Sequence, residues 1–194
     1  MALTSSSNSA TPLTSPLRQQ LLGSARESIE KGLCGGTLSV RVTDYPEPLR
    51  VLRATFVTLY VDEKLRGCVG TLEARQPLVE DVVNNAWCAA FRDSRFPVLT
   101  WTEYERLDIH ISILSPPEPV TFSSEGDLLV KLRPFVDGLI LEEGAHRGTF
   151  LPSVWEQLPD PREFLRHLKL KAGLDPDHWS KNIRVLRYTT DSVG

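Results

Sequence analysis

Four residues in one short segment carry the clearest chemical signal in the sequence: Arg66, Gly67, Cys68 and Gly70. In an extended strand, a thiol two residues from a guanidinium points to the same face as that group. A nearby cation favours the thiolate over the thiol. The glycines permit unusual backbone angles and let another group approach the main chain. The segment therefore predicts a ligand-binding place where sulfur and backbone are presented together.

Cys68 has two interpretations. It is either a nucleophile or ligand-contacting thiol, or a small buried residue, since free cysteine is among the most buried residue types. A nucleophile needs a base, and His110 is the histidine on a predicted strand. Asp108 precedes it by two residues, about 6.5–7 Å along a strand, which is too far for an easy direct hydrogen bond. His110 is therefore either the catalytic base or part of a solvated strand face.

Asp93, Arg95 and Arg147 also allow two interpretations. The two arginines can bind a small anionic ligand, because a guanidinium matches a carboxylate or phosphate in a bidentate manner. Alternatively, Asp93 caps a turn and pairs with one of these arginines.

Composition excludes several classes of function. The chain has 194 residues, 41% of them hydrophobic, and a net charge of −3, which predicts one soluble domain without a nucleic-acid partner. No apolar run is long enough to span a membrane. The three cysteines form no C-x-x-C motif and the histidines have no metal-ligand spacing, so we expect reduced thiols, no metal, no cofactor and a cytoplasmic location.

The elements around the key segment follow from periodicity. Residues 54–61 and 65–72 form a predicted hairpin with its turn at 62–64, and this pattern places Leu65 on the face opposite Cys68. A helix is predicted over residues 77–91. Residues 107–114 alternate, which predicts a strand with Leu107, Ile109, Ile111 and Ile113 buried.

The remaining elements complete an α+β chain. Tyr45 to Pro48 is predicted to be a rigid loop, and His146 and Arg147 to lie in a hairpin turn. Further helices are expected over residues 16–31, with Ser15 as its cap, 127–132, 153–158 and 160–172, and further strands over 136–142, 148–151 and 183–188. We therefore predict a mostly antiparallel sheet with flanking helices, arranged as a larger and a smaller lobe with a groove between them. Residues 1–15 are expected to be a disordered tail, and residues 16–190 one domain.

Four ordered motifs resemble one known family. They are LRGCVGT at residues 65–71, DSRFP at 93–97, DGLIL at 137–141 and RGTFLPSVW at 147–155. They are similar to the AmmeMemoRadiSam system protein A family, also called the AMMECR domain. The resemblance implies a two-lobed α+β domain with its motifs gathered near the groove. It also implies an association with a Memo-like protein and a radical-SAM protein, and it assigns no reaction.

Two functions from different classes compete. In the first, the chain is a small-molecule-binding or enzymatic domain whose groove is lined by Arg66, Cys68, Asp93, Arg95 and Arg147. In the second, it is a non-catalytic adaptor that docks a partner protein. The motif residues are types used for close approach and charge, whereas an adaptor face should show aromatic anchors.

Overall fold

The computed structural model describes residues 13–194. Residues 1–12 of the predicted tail therefore lie outside the described residues. The described part contains six α-helices: α1 Ser15–Leu33, α2 Glu47–Arg50, α3 Leu78–Phe91, α4 Trp101–Tyr104, α5 Glu125–Lys131 and α6 Pro161–Lys171. It contains eight strands: β1 Thr55–Val61, β2 Lys64–Gly70, β3 Leu107–Leu114, β4 Glu118–Pro119, β5 Gly138–Glu143, β6 His146–Phe150, β7 Arg184–Tyr188 and β8 Thr190–Val193.

The chain divides into two units, and the first comprises the residues up to Ile113 together with Asp191–Gly194. Its sheet has the strand order β2-β1-β3-β8, with β1 antiparallel to both β2 and β3. Helix α3 packs on α1 and on strands β1 and β2. The core between them includes Leu21, Ile29, Val57 and Ile111, all fully buried. One face of this sheet is therefore covered by α3.

The second unit comprises Leu114–Thr190. Its sheet has the order β4-β7-β5-β6, and α6 packs against β6. Trp155 stacks on Phe164 at 3.7 Å between ring centroids, and both side chains are buried. Two sheets with antiparallel strand pairs and six helices confirm the predicted α+β class.

The strongest periodic patterns gave the right elements. Strand β3 has the predicted bounds, and Leu107, Ile109, Ile111 and Ile113 are buried while His110 is exposed. Helix α3 begins one residue after the predicted start because Pro77 is its N-cap. These elements were predictable because each buries one apolar face.

The hairpin contains a β-bulge that the alternation did not predict. Leu59 pairs with Gly67, but the next residue, Tyr60, pairs with Leu65, so Arg66 is the extra residue of β2. The prediction that Leu65 lies opposite Cys68 across the strand is therefore wrong. Leu65 shares a face with Tyr60 and is exposed. Because a bulge interrupts the alternation of side chains, sequence spacing alone does not place Arg66 on the face of Cys68.

Three local predictions were also wrong, and one strand was missed. Only the first half of the predicted rigid loop at residues 45–48 is a loop, because Glu47 and Pro48 lie in the short helix α2, which Pro46 caps. The N-cap of α1 is Thr14 rather than Ser15. His146 lies in strand β6, as does Arg147, because Gly144 supplies the positive φ that a two-residue turn requires. Strand β8 was not predicted, because its sequence, TDSV, lacks an apolar alternation.

Candidate functional site

Cys68 lies on β2, a strand at the open edge of the first sheet. Its backbone N–H donates to Asp93 Oδ2 at 2.9 Å, and its carbonyl accepts from Arg95 Nη2 at 3.3 Å. Both backbone groups would otherwise be unpaired, because Cys68 has a strand neighbour on one side only. The DSRFP segment therefore takes the place of a neighbouring strand at Cys68.

Asp93 and Arg95 form a bidentate ion pair. Arg95 donates from Nε to Oδ1 at 2.9 Å and from Nη2 to Oδ2 at 2.6 Å. The Asp93 side chain is only 6% exposed, whereas that of Arg95 is 54% exposed. Hydrogen bonds, first from the Arg95 side chain and then from the backbone of Cys68, hold the pKa of Asp93 well below its usual range. These contacts support the structural interpretation of Asp93.

Arg66 is 7% exposed and contacts a different carboxylate. Its Nε donates to Glu103 Oε1 at 2.7 Å, and its Nη2 donates to the carbonyl of Pro97 at 2.8 Å. The hydrogen bond from Arg66 is the main reason why the pKa of Glu103 is lowered to about 2. The third nitrogen, Nη1, is buried and has no hydrogen-bond partner among the described residues. The positive charge of Arg66 is therefore matched by Glu103, and one of its donors is unsatisfied.

Both arginines lie against the ring of Phe96. The Cζ atom is 5.8 Å from the ring centroid for Arg66 and 5.4 Å for Arg95. Guanidinium groups at this distance are attracted by the ring face. Phe96 therefore joins the two ion pairs into one cluster beside Cys68.

The two glycines of the segment admit close contacts from this chain itself. A Cβ atom on Gly67 would lie 2.2 Å from the carbonyl oxygen of Ala89 in α3. A Cβ atom on Gly70 would lie 2.3 Å from Cγ of Phe56. Packing therefore explains both glycines without a ligand, and their predicted ligand-binding role stays a prediction.

The Cys68 side chain belongs to a transverse row across three strands. Thr58 pairs directly with Cys68 on one side and with His110 on the other. Directly paired residues of antiparallel strands point to the same face, here the face opposite Leu59 and Ile109 of the core. The Thr58 hydroxyl donates to Cys68 Sγ at 3.3 Å. We call Cys68, Thr58 and His110 the thiol row.

The row brings the two predicted catalytic residues to one face without placing them side by side. Two strand spacings, roughly 9.5 Å, separate the backbones of Cys68 and His110. The His110 ring makes an edge contact with Tyr60, with 5.2 Å between centroids. The roles of base and nucleophile stay predictions.

Arg147 lies in the second unit, and its Nε is 3.2 Å from Glu142 Oε1. Its predicted grouping with Cys68, Asp93 and Arg95 stays a prediction. Each arginine that was predicted to bind an anionic ligand thus contacts a carboxylate of this chain.

Sequence reasoning missed two residues of this site. Glu103 completes the ion pair of Arg66 from helix α4, where it also forms a capping box with Thr100. The T-x-x-E spacing could have located that helix start but not the pairing with Arg66. Thr58 carries no motif, and only the register of the hairpin brings it to Cys68.

Residues 13–194 contain neither a cluster of metal-ligating side chains nor a membrane-spanning helix. No group of three or more His, Cys, Asp or Glu side chains there could hold a metal ion. No helix in that part of the chain is both long and apolar enough to cross a membrane.

Comparisons with known proteins agree with the motifs. The AMMECR1 family model matches residues 22–193. Protein MJ0810 of Methanocaldococcus jannaschii is 39% identical over 168 residues, covering 84% of this chain and 83% of that protein. A protein of Methanothermobacter thermautotrophicus is 38% identical over 179 residues, covering 91% of this chain and 93% of its own length.

A solved structure shows the same fold. The crystal structure of the uncharacterized protein PH0010 from Pyrococcus horikoshii matches with a TM-score of 0.85 and 32% sequence identity, covering 93% of this chain and 92% of that one. The resemblance inferred from the four motifs is thereby confirmed at the level of the family. The chain belongs to the AMMECR1 family.

Proposed function

We propose that this chain is a small-molecule-binding domain whose ligand contacts the thiol row on the open face of the first sheet. This is the face opposite helix α3, where His110 is exposed and Thr58 and Cys68 are half-buried. The observation that carries the proposal is the alignment of a thiol, a hydroxyl and an imidazole on three adjacent strands. A polar row of this kind is not needed for the core, which lies on the opposite face of the sheet.

Rigidity around Cys68 supports the proposal. Its backbone is hydrogen-bonded to Asp93 and Arg95, and its sulfur accepts a hydrogen bond from the Thr58 hydroxyl. Binding groups held by such contacts lose little conformational entropy when a ligand arrives. The arrangement is therefore suited to presenting sulfur in one orientation.

The charges limit the kind of ligand. Arg66 is matched by Glu103 and Arg95 by Asp93, so this cluster has no excess of positive charge. A small anion would have to reach Arg95, the exposed member, and share it with Asp93. We therefore propose a ligand recognised through sulfur and hydrogen bonds, with any anionic group bound by Arg95.

The test is to identify what the protein carries. Wild-type chain and the Cys68→Ala variant are purified from cells and compared by native mass spectrometry, followed by extraction of small molecules. We expect a small molecule on the wild type that is reduced on Cys68→Ala, and retained on the control Cys34→Ala, since Cys34 is exposed and lies outside the row. A molecule retained equally by all three proteins would contradict a site at Cys68.

A second candidate function is a non-catalytic adaptor, and exposed aromatic residues favour it. Trp101 and Phe135 are exposed, as is Val98, which precedes Trp101 by three residues. Aromatic residues of this kind are common anchors of protein interfaces. The resemblance implies that a Memo-like protein and a radical-SAM protein are the partners, whichever of the two functions holds.

Co-purification separates the two candidates. Tagged wild-type chain, Trp101→Ser and Cys68→Ala are each isolated together with a Memo-like protein expressed in the same cells. An adaptor predicts that Trp101→Ser loses the partner and that Cys68→Ala keeps it. Equal recovery with all three variants would contradict an adaptor face at Trp101.

A further inference from the structure

We infer that Thr58 is a positioning residue that orients the Cys68 thiol on its face of the sheet, an inference that rests on the proposed function. Neither the motifs nor the family comparison points to Thr58. The structure does, because the Thr58 hydroxyl donates to Cys68 Sγ at 3.3 Å. This distance is within hydrogen-bond range for sulfur.

Thr58 is itself held firmly. It lies on β1, which has paired strands on both sides, so its backbone has no open edge. Threonine is β-branched, and its χ1 angle is restricted in a strand. The hydroxyl is therefore in a fixed position relative to the neighbouring strand.

The β-bulge makes this contact possible. A two-residue turn at Asp62 and Glu63 pairs Val61 with Lys64, and regular pairing from there would place Thr58 opposite Gly67. The extra residue, Arg66, moves the register by one, so Thr58 pairs with Cys68 instead. Bulges next to functional sites commonly re-aim a side chain in this way.

The chemistry follows from the direction of the hydrogen bond. A hydroxyl that donates to sulfur fixes the direction of the sulfur lone pair that accepts the hydrogen bond. The sulfur is the attacking atom in reactions of cysteine, so its orientation decides which side a reagent must approach from. Thr58 is thus placed to hold the sulfur lone pairs in one orientation on the open face.

The buried cation in the same strand segment as Cys68 adds an independent observation. Arg66 is more than nine-tenths buried, and its Nη1 has no partner among the described residues. A buried donor without an acceptor is unfavourable unless another molecule supplies one. The segment that presents the thiol therefore also contains an unmet hydrogen-bond donor.

The experiment compares Thr58→Val with Thr58→Ser. Valine has nearly the shape of threonine but no hydroxyl, and serine keeps the hydroxyl. Each folded protein is treated briefly with iodoacetamide at neutral pH, and alkylation is quantified by peptide mapping. The Cys68 sulfur forms a bond to carbon, iodide leaves, and the thiol proton passes to solvent. Cys34, which is exposed, is the reference thiol in the same sample.

We expect the rate at Cys68 relative to Cys34 to fall about fivefold in Thr58→Val, because that is the factor by which one net hydrogen bond populates the oriented thiol, and to recover in Thr58→Ser. An equal relative rate in wild type and Thr58→Val, both folded by circular dichroism, would overturn the role of Thr58. So would a loss in Thr58→Val that Thr58→Ser does not recover, because the hydroxyl would then not be the cause.

The proposed function fails in a different way. If a small molecule is retained on Cys68→Ala as on wild type, the ligand site is wrong, whatever Thr58 does to alkylation. If retention of the molecule requires Cys68 but the alkylation rate is the same in wild type and Thr58→Val, the ligand site is supported and only the positioning role of Thr58 is refuted.

Discussion

Replacing Asp93 with asparagine should loosen the edge of β2 at Cys68, since Asp93 accepts hydrogen bonds from two segments at once. Its Oδ2 accepts from the backbone of Cys68, and its Oδ1 accepts from Arg95 Nε. An asparagine has one oxygen and one NH₂ group in place of the two oxygens. Whichever way the amide turns, one of these donors faces another donor.

The expected loss of unfolding free energy is about 1–3 kcal/mol, the usual effect of leaving a buried donor unsatisfied. The bond between the carboxylate and Cys68 lies at a side chain that is almost fully buried, so it contributes most of this amount. The bonds to Arg95 contribute less, because that side chain is half exposed and solvent screens its charge.

The effect should depend on pH in a defined direction. The pKa of Asp93 is lower in the folded protein than in the unfolded chain, where an aspartate has a pKa of about 3.9. The ionised group therefore stabilises the fold above about pH 4, and this contribution is lost as the pH falls through the folded pKa. The difference between wild type and Asp93→Asn should be largest near neutral pH and smaller at about pH 3.

Urea unfolding of both proteins at the two pH values measures this difference. Glu163→Gln is a matched control, because Glu163 forms an exposed ion pair with Arg166 and its loss should change stability by less than about 0.5 kcal/mol. If Asp93→Asn is as stable as wild type at neutral pH, the segment after α3 does not support the strand edge as described. A difference that grows in acid would contradict the pKa argument.

Three further substitutions test the fold. Ile111→Ala should lower the free energy of unfolding by about 2–5 kcal/mol in a thermal or urea melt, because this side chain is fully buried; an unchanged melt would refute the assignment of β3. Glu125→Ala should destabilise by about 3 kcal/mol, since it leaves the buried ammonium group of Lys169 without its carboxylate; a near-neutral result would show that Lys169 adapts. Phe135→Gly should stabilise by about 0.5–1 kcal/mol, because Phe135 is 61% exposed and has φ of 63°; a lower melting temperature would mean that its ring packs in solution.

The sequence was informative where one face of an element is buried. The alternation of β3 and the apolar stripe of α3 gave bounds within one residue, since burial repeats with a fixed period in each. The short helix α2 and strand β8 have no such repeat, so tertiary contacts decide their conformation. The two-residue turn at Asp62 has positive φ at both central positions without a glycine, which no propensity rule would suggest.

The candidate site was predictable only in part. The segment around Cys68 was identified from its glycines, its thiol and its motif, and these are local features of the sequence. The partners of these groups come from elsewhere in the chain. Thr58 reaches Cys68 through the one-residue shift of the bulge, and Glu103 reaches Arg66 from helix α4. Contacts of this kind depend on register and packing, which single-sequence patterns do not encode.

Protection of Cys68 by the natural ligand tests the central claim most directly. The purified chain is alkylated briefly with iodoacetamide, with and without the low-molecular-mass fraction of a cell extract, and the three cysteines are quantified by peptide mapping. We predict that the extract slows alkylation of Cys68 and leaves Cys34 unchanged, because the ligand covers the thiol row. Equal alkylation of Cys68 with and without the extract, or an equal slowing at Cys34, would contradict a small-molecule site at this row.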